Sequence, residues 1–318
     1  MQQRSLGVTG LKVGAIGWGG AGVTLYGGVP DDQVFQTLDR ALELGVNYWD
    51  TAPLYGRGRS EELIGRYLSS MRGSVRPVVA TKVGYLPDGY DYGYDATMRC
   101  LEGSLKRLRT DQLTLVHIHD IERSSLERIM SRQGAFAALS RMKAEGVVEH
   151  IGVSGGPPDL LIQALETREF ATVVTHNRYN LLDRSAGEAL LPRAAELGVG
   201  VINGGPFATG ILATGAKPGA HFAYREAPVD LLERVERMQE FFEAEGLELR
   251  EAALGFCLAN VQITATIPGA CSPQEMEDCV AAAELDLEEV AKLCSAWFEE
   301  EERLAAGAEW SEPGTGGS

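Results

Sequence analysis

The chain predicts a single α/β domain folded as a (β/α)8 barrel, and three observations carry that reading. Eight short apolar runs of strand character recur along the 318 residues, each followed by an amphipathic stretch of helical period. A 44% hydrophobic content suffices for one large core. No G-x-G-x-x-G follows the first run, because Gly14-Ala15-Ile16-Gly17-Trp18-Gly19-Gly20 lacks the spacing and the helix. That counts against an open, doubly wound sheet. Eight strands with crossover helices allow closure into a barrel.

The expected strands are Lys12–Gly17, Asn47–Asp50, Val78–Lys82, Leu113–His119, His150–Ser154, Thr172–His176, Gly200–Asn203 and Thr264–Pro268. Ahead of the first, Arg4–Leu11 holds Gly7 and Gly10 and reads as a small hairpin. The expected helices are Asp31–Leu44, Ser60–Ser69, Asp95–Arg107, Ser125–Ala144, Pro158–Glu166, Ala186–Glu196 and Pro273–Ala283. Two extra helices, Val229–Glu245 and Leu249–Ala259, follow the seventh strand, and Leu287–Ala306 follows the eighth unit. Asp31 and Asp32 open the first helix, and Gly45 and Gly198 stand where helices end and φ turns positive. One domain over residues 1–306 with a loose tail over 307–318 is the expected organisation.

Composition narrows the partners. With 29 Lys+Arg against 45 Asp+Glu the net charge is −16, the wrong sign for nucleic acid or anionic membranes. The simplest role of that acidity is solubility. No membrane-span-length apolar stretch and no secretory leader is evident, and five cysteines without a CxxC pair argue against disulfide scaffolds and zinc knuckles. A cytoplasmic protein without a bound metal is expected. Its 38 glycines fall in no low-complexity tract, so they serve local geometry.

In a closed barrel the site forms at the C-terminal strand ends. Asp50, Lys82 and His119 end the second, third and fourth runs, and Tyr55 follows Asp50 in a glycine-containing turn able to fold back over them. A phenol alone is a poor acid or base at pH 7. A neighbouring ammonium stabilises its phenolate, an aspartate keeps the lysine charged and oriented, and a histidine assists at a carbonyl oxygen. The set suits reversible proton transfer at a carbinol or carbonyl oxygen coupled to hydride transfer. Singly, each has a structural reading, such as an Asp50–Lys82 ion pair or a core histidine; together at strand ends they favour chemistry. His117 shares the face of His119 but lies deeper and reads as core.

The stretch Gly45-Val46-Asn47-Tyr48-Trp49-Asp50-Thr51-Ala52-Pro53-Leu54-Tyr55-Gly56, continuing to Ser60-Glu61 and Gly65, resembles the aldo-keto reductase superfamily. Leu101–Leu108, Ile151-Gly152-Val153-Ser154 and Arg178–Arg184 match the same family, so the resemblance runs from about Arg4 to Ala283. It implies a barrel that binds a nicotinamide dinucleotide without a Rossmann motif, with a tetrad of Asp50, Tyr55, Lys82 and His119. Tyr55 would be the general acid in reduction and the base in oxidation. Ser154 would hold the nicotinamide carboxamide, with Gly155 where the family usually has Asn and His176 where many members have Gln. The loop containing Gly205, Pro206, Phe207, Thr209, Gly210 and Leu212 would wrap the pyrophosphate.

Two departures bear on cofactor choice. No Tyr stands near Gly204 to stack on nicotinamide, and Phe207 is the expected substitute. In Pro268-Gly269-Ala270-Cys271-Ser272-Pro273-Gln274-Glu275, Gly269 and Glu275 replace the cations by which NADP-preferring members pair the 2′-phosphate. A carboxylate there repels phosphate and accepts ribose hydroxyls, so NAD is expected, with NADP possible. Ser272 completes the expected cofactor contacts.

A narrower similarity rests on His119-Asp120-Ile121-Glu122 and on Pro53 in the Asp50–Tyr55 turn. Both resemble the branch of L-galactose, L-fucose and D-threo-aldose 1-dehydrogenases, which oxidise an anomeric carbon to a lactone. A monosaccharide would then meet Tyr55, His119, Asp120, Trp18 and, in the tyrosine-rich loop Gly84–Asp95, Tyr90 and Tyr92. That loop also reads as a polar surface segment whose tyrosines pack on neighbouring helices. Two other readings stand beside this one: a reductase of an aldehyde, ketone or pyridoxal-type substrate, and a non-enzymatic cofactor-binding subunit. Monomer and homodimer are both compatible with the sequence.

Overall fold

The computed structural model describes residues 1–25, 28–71, 76–223 and 225–309. Eight parallel strands form one sheet in chain order: Trp18–Gly19, Tyr48–Asp50, Val78–Val83, Leu113–Ile118, Val148–Gly155, Thr172–His176, Gly200–Gly204 and Ala265–Ile267. The first and last meet through the parallel bridge Ile16–Thr266, with the N–H of Gly17 donating to the Thr266 carbonyl and that of Gly19 to the Pro268 carbonyl. The sheet is thereby closed.

The first expected strand requires correction. Lys12–Gly14 pairs antiparallel with Gln3–Ser5, and the barrel strand begins only at Trp18. The hairpin plugs the barrel floor, where Leu6 and Val13 complete the interior built by Tyr48, Ala80, Leu115, Val174, Ile202, Ala265 and Ile267. Local alternation cannot distinguish a floor strand from a wall strand, since both present one apolar face.

Most helices form where the pattern places them, but the expected Ser125–Ala144 is broken into Leu126–Met130 and Ala135–Ala144, and the expected Ala186–Glu196 into Ser185–Glu188 and Leu190–Leu197. Helix Asp31–Glu43 starts on two carboxylates favourable to its positive end and buries Val34, Thr37, Leu38 and Ala41 at helical spacing. Gly45 then turns the chain at φ +81°. Helix Pro273–Ala281 is capped by Ser272, whose Oγ accepts from the Glu275 N–H at 3.2 Å, with proline in its first turn. The final helix runs Leu287–Glu309, past the expected Ala306; of the expected tail, residues 310–318 lie outside the described residues. A second apolar cluster joins this helix to Val229–Ala244 and Leu249–Ala259 around Phe242 and Trp297. Among the described residues no helix is long and apolar enough to cross a membrane, and no His/Cys/Asp/Glu group could hold a metal.

Candidate active site

Asp50 and Lys82 stand near the ends of adjacent strands and point into the barrel, both buried. Lys82 Nζ pairs with Asp50 Oδ1 and donates to the Thr51 carbonyl at 3.0 Å. The turn after Asp50 passes through three successive left-handed residues, Gly56 (φ +59°), Arg57 (φ +55°) and Gly58 (φ +91°). Just before them a turn in which the Tyr55 N–H donates to the Ala52 carbonyl at 3.1 Å carries Tyr55 back over the strand ends. Its hydroxyl donates to Asp50 Oδ1 at 3.3 Å and accepts from Lys82 Nζ at 3.0 Å. The ammonium also lies 4.6 Å from the Tyr55 ring centroid. His119 meets the same phenol edge-on, with ring centroids 6.0 Å apart. All four expected residues are therefore brought together.

Burial sets the charges. It works to raise the Asp50 carboxyl, and the Lys82 ammonium opposes that rise. His119, only 5% exposed, is pushed down to about 3, first by burial and then by Lys82 and His176, with Asp120 opposing. Its imidazole is neutral at working pH. His117 lies deeper, fully buried, with Nε2 3.0 Å from Thr172 Oγ1, as a core residue should.

A cleft of about 520 Å³ starts at Asp50 and Tyr55 and runs past His176, Gly205, Pro206, Phe207, Thr209 and Gly210 to Gly269 and Glu275. Glycine makes its walls thin. A Cβ on Gly22 would stand 2.5 Å from the Gly269 carbonyl oxygen, and one on Gly205 (φ +73°) would collide with Asn177. Asn177 Oδ1 is buried without a hydrogen-bond partner. Ala208 (φ +47°) and Thr209 (φ +62°) are left-handed without being glycine, a strain concentrated where the chain borders the cleft. A side-chain-poor trough of this kind fits an extended dinucleotide. At its far end stand Glu251, Glu275 and Asp278 against Arg250, and Arg250 is already paired with Glu248 and Asp278.

Several expected contacts do not reach this cleft. Trp18 is fully buried outside the barrel, its indole N–H donating to the Ala270 carbonyl at 2.9 Å and its ring edge-on to Trp49. It cannot meet a substrate. Tyr92, 3% exposed, lies under Gly84, with its hydroxyl 2.7 Å from the carbonyl oxygens of both His119 and Asp120. It is a strut and presents no stacking face. Leu212 is buried in the second apolar cluster, and the Ser272 hydroxyl is spent on its helix cap. Ser154 is buried, a Cβ on Gly155 would point at Glu122, and neither lines the cleft. Tyr90 donates to Asp120 Oδ2 at 2.6 Å. Conversely, Gly19, Gly22, Arg250, Glu251 and Asp278 line the cleft and were not singled out from the sequence. Only their distant pairing places them there.

A closed barrel with a phenol, an ammonium and a carboxylate in contact at its strand ends defines the class: an oxidoreductase acting at a CH–OH or carbonyl group. The chain belongs to the Aldo/keto reductase family, whose model matches residues 11–297. It is 32% identical to L-galactose dehydrogenase of Arabidopsis thaliana over 287 residues, covering 89% of this chain and 88% of that one. It is 29% identical to D-threo-aldose 1-dehydrogenase of a Pseudomonas species, covering 87% and 92%. Among solved structures, the holo form of an aldo-keto reductase from Bacillus halodurans superposes with a TM-score of 0.77 at 27% identity, covering 93% and 96%. Binding of a nicotinamide cofactor goes with the family.

Proposed function

We propose that the protein oxidises the anomeric C1 hydroxyl of a monosaccharide to the lactone, using NAD. The observation that carries the chemistry is the 3.0 Å contact between Lys82 Nζ and the Tyr55 hydroxyl at the head of the cleft. A nicotinamide held along the cleft would supply the acceptor for the C1 hydrogen and its electron pair. Tyr55 takes the hydroxyl proton as the C1–O bond gains double-bond character. Lys82 stabilises the phenolate that receives this proton, and Asp50 keeps Lys82 charged and aimed. In reduction the same phenol donates instead.

Gly205, Pro206, Phe207, Thr209 and Gly210 would border the pyrophosphate and nicotinamide, with His176 beside them. Three carboxylates against one neutralised arginine at the far end disfavour a 2′-phosphate, which supports NAD over NADP. The sugar reading is supported by the two aldose-oxidising relatives. The deciding experiment is a panel of aldoses, aldehydes and ketones with NAD and NADP, read by nicotinamide absorbance. Lactone formation from one or more aldoses with NAD is expected. Turnover confined to reduction of non-sugar carbonyls would replace this reading with that of a reductase.

A further inference from the structure

The four-tyrosine loop after the third strand serves a purpose that its composition does not suggest. Its hairpin, Tyr85–Leu86 paired with Gly89–Tyr90, stands over the end of the fourth strand. Tyr90 is packed between Tyr85 and Tyr92, at 5.4 and 6.2 Å between centroids, and Arg123 lies 5.3 Å from its ring. Both Tyr90 and Tyr92 direct their hydroxyls at one place, the residue following His119. Tyr92 holds the backbone carbonyls of His119 and Asp120, and Tyr90 holds the Asp120 carboxylate. Asp120 itself is left-handed, at φ +44°, a conformation of some cost that aspartate nonetheless adopts more readily than most residues.

The outcome of that expenditure is a direction. Asp120 Oδ1 faces His119 Nε2 at 3.6 Å, while Oδ2 is occupied by Tyr90. We propose that Asp120, braced by Tyr90, is a positioning residue for His119: it holds the imidazole as the Nε2–H tautomer and keeps the ring oriented beside the Tyr55 phenol that takes the proton in alcohol oxidation. This rests on the oxidative reading above.

The surrounding charges agree. Burial works to raise Asp120, but His119 and the Tyr90 hydroxyl hold it below the ordinary carboxylate value, so it is ionised. Tyr90 is raised by burial and then by Asp120, so it remains the donor. The other groups facing His119 are Lys82 and His176, both of which disfavour its protonation, and the Tyr55 ring. Asp120 is thus the group that supports positive charge on the ring. A carboxylate orienting a neutral imidazole through one nitrogen sets what the other can do. At 3.6 Å the pair is longer than a hydrogen bond, so the carboxylate acts on the ring as a neighbouring charge aimed at Nε2.

The test compares the wild-type chain with Asp120→Asn, Asp120→Glu and Tyr90→Phe. First, the imidazole 15N spectrum of His119 is recorded without substrate or cofactor. Wild type should show one Nε2–H tautomer and Asp120→Asn a mixture, with Asp120→Glu restoring the wild-type pattern. Second, in NAD-linked oxidation of the best alcohol found, Asp120→Asn should lower kcat about tenfold with KM within roughly twofold. Tyr90→Phe should show a smaller loss in kcat. An unchanged tautomer in Asp120→Asn overturns the proposal. So does a rise in KM at constant kcat, which would make the carboxylate a substrate-hydroxyl acceptor instead. If no aldose is oxidised the sugar reading fails alone, because the spectrum needs no substrate.

Discussion

Lys82 Nζ touches the Tyr55 hydroxyl at 3.0 Å while paired with Asp50, an aspartate with almost no solvent exposure. One ammonium therefore serves two functions, neutralising a buried carboxylate and facing the phenol. Replacing it should separate them. Lys82→Met should lower kcat by about 10²–10⁴ and destabilise the fold by about 3–5 kcal/mol through the stranded Asp50 charge. Lys82→Met combined with Asp50→Asn should regain much of the stability and none of the activity. Turnover and denaturant melts read the two effects independently.

Tyr55→Phe removes the proton carrier and leaves the Asp50–Lys82 pair intact. Turnover should fall by a factor of about 10³ or more, while cofactor binding, followed by quenching of protein fluorescence, should stay within roughly twofold. Full turnover in this variant would show that Tyr55 is not the proton carrier.

Glu275 Oε2 accepts from the Cys271 N–H at 2.7 Å, which holds the carboxylate at the acidic end of the cleft. Glu275→Arg should raise the NADP/NAD ratio of kcat/KM by about tenfold or more, since the new guanidinium can pair with a 2′-phosphate. A wild-type enzyme that already favours NADP tenfold would refute the assignment.

Acidification should destabilise the fold through two histidines. His117 lies well below its ordinary value of 6.5 and His119 at about 3, in both cases because burial penalises the cation. Folded values below the unfolded one mean that, as pH falls through 6.5, the unfolded chain gains protons first. Stability is complete above that pH and is lost below it, by about 1.4 kcal/mol per pH unit per group, or about 3 for the pair. Melting temperatures between pH 7.5 and 4 should fall accordingly, and His117→Gln should flatten the curve. An identical slope in that variant would exclude His117.

Trp18 packs between the sheet and its helices and so predicts a stability effect. Trp18→Ala should cost about 3–5 kcal/mol through the cavity and the lost bond to Ala270. The measurement is a urea melt.

The sequence by itself determined the barrel, because the alternation of strand and helix periods is local and each apolar face is written in consecutive residues. It also located Asp50, Lys82 and His119, because a polar residue ending an apolar strand has one direction to point once the barrel is closed. Tyr55 was legible for the same reason, with a turn ahead of it to bring it back. Other features depend on segments far apart in the chain and have no local trace. The floor hairpin needs Gln3–Ser5 to pair with Lys12–Gly14, and the acidic end of the cleft needs Glu251 from one helix beside Glu275 and Asp278 from another. The tyrosine loop is the clearest case. Its aromatic content suits a sugar platform equally well, and only tertiary packing, by directing two hydroxyls at the residue after His119, makes it a brace.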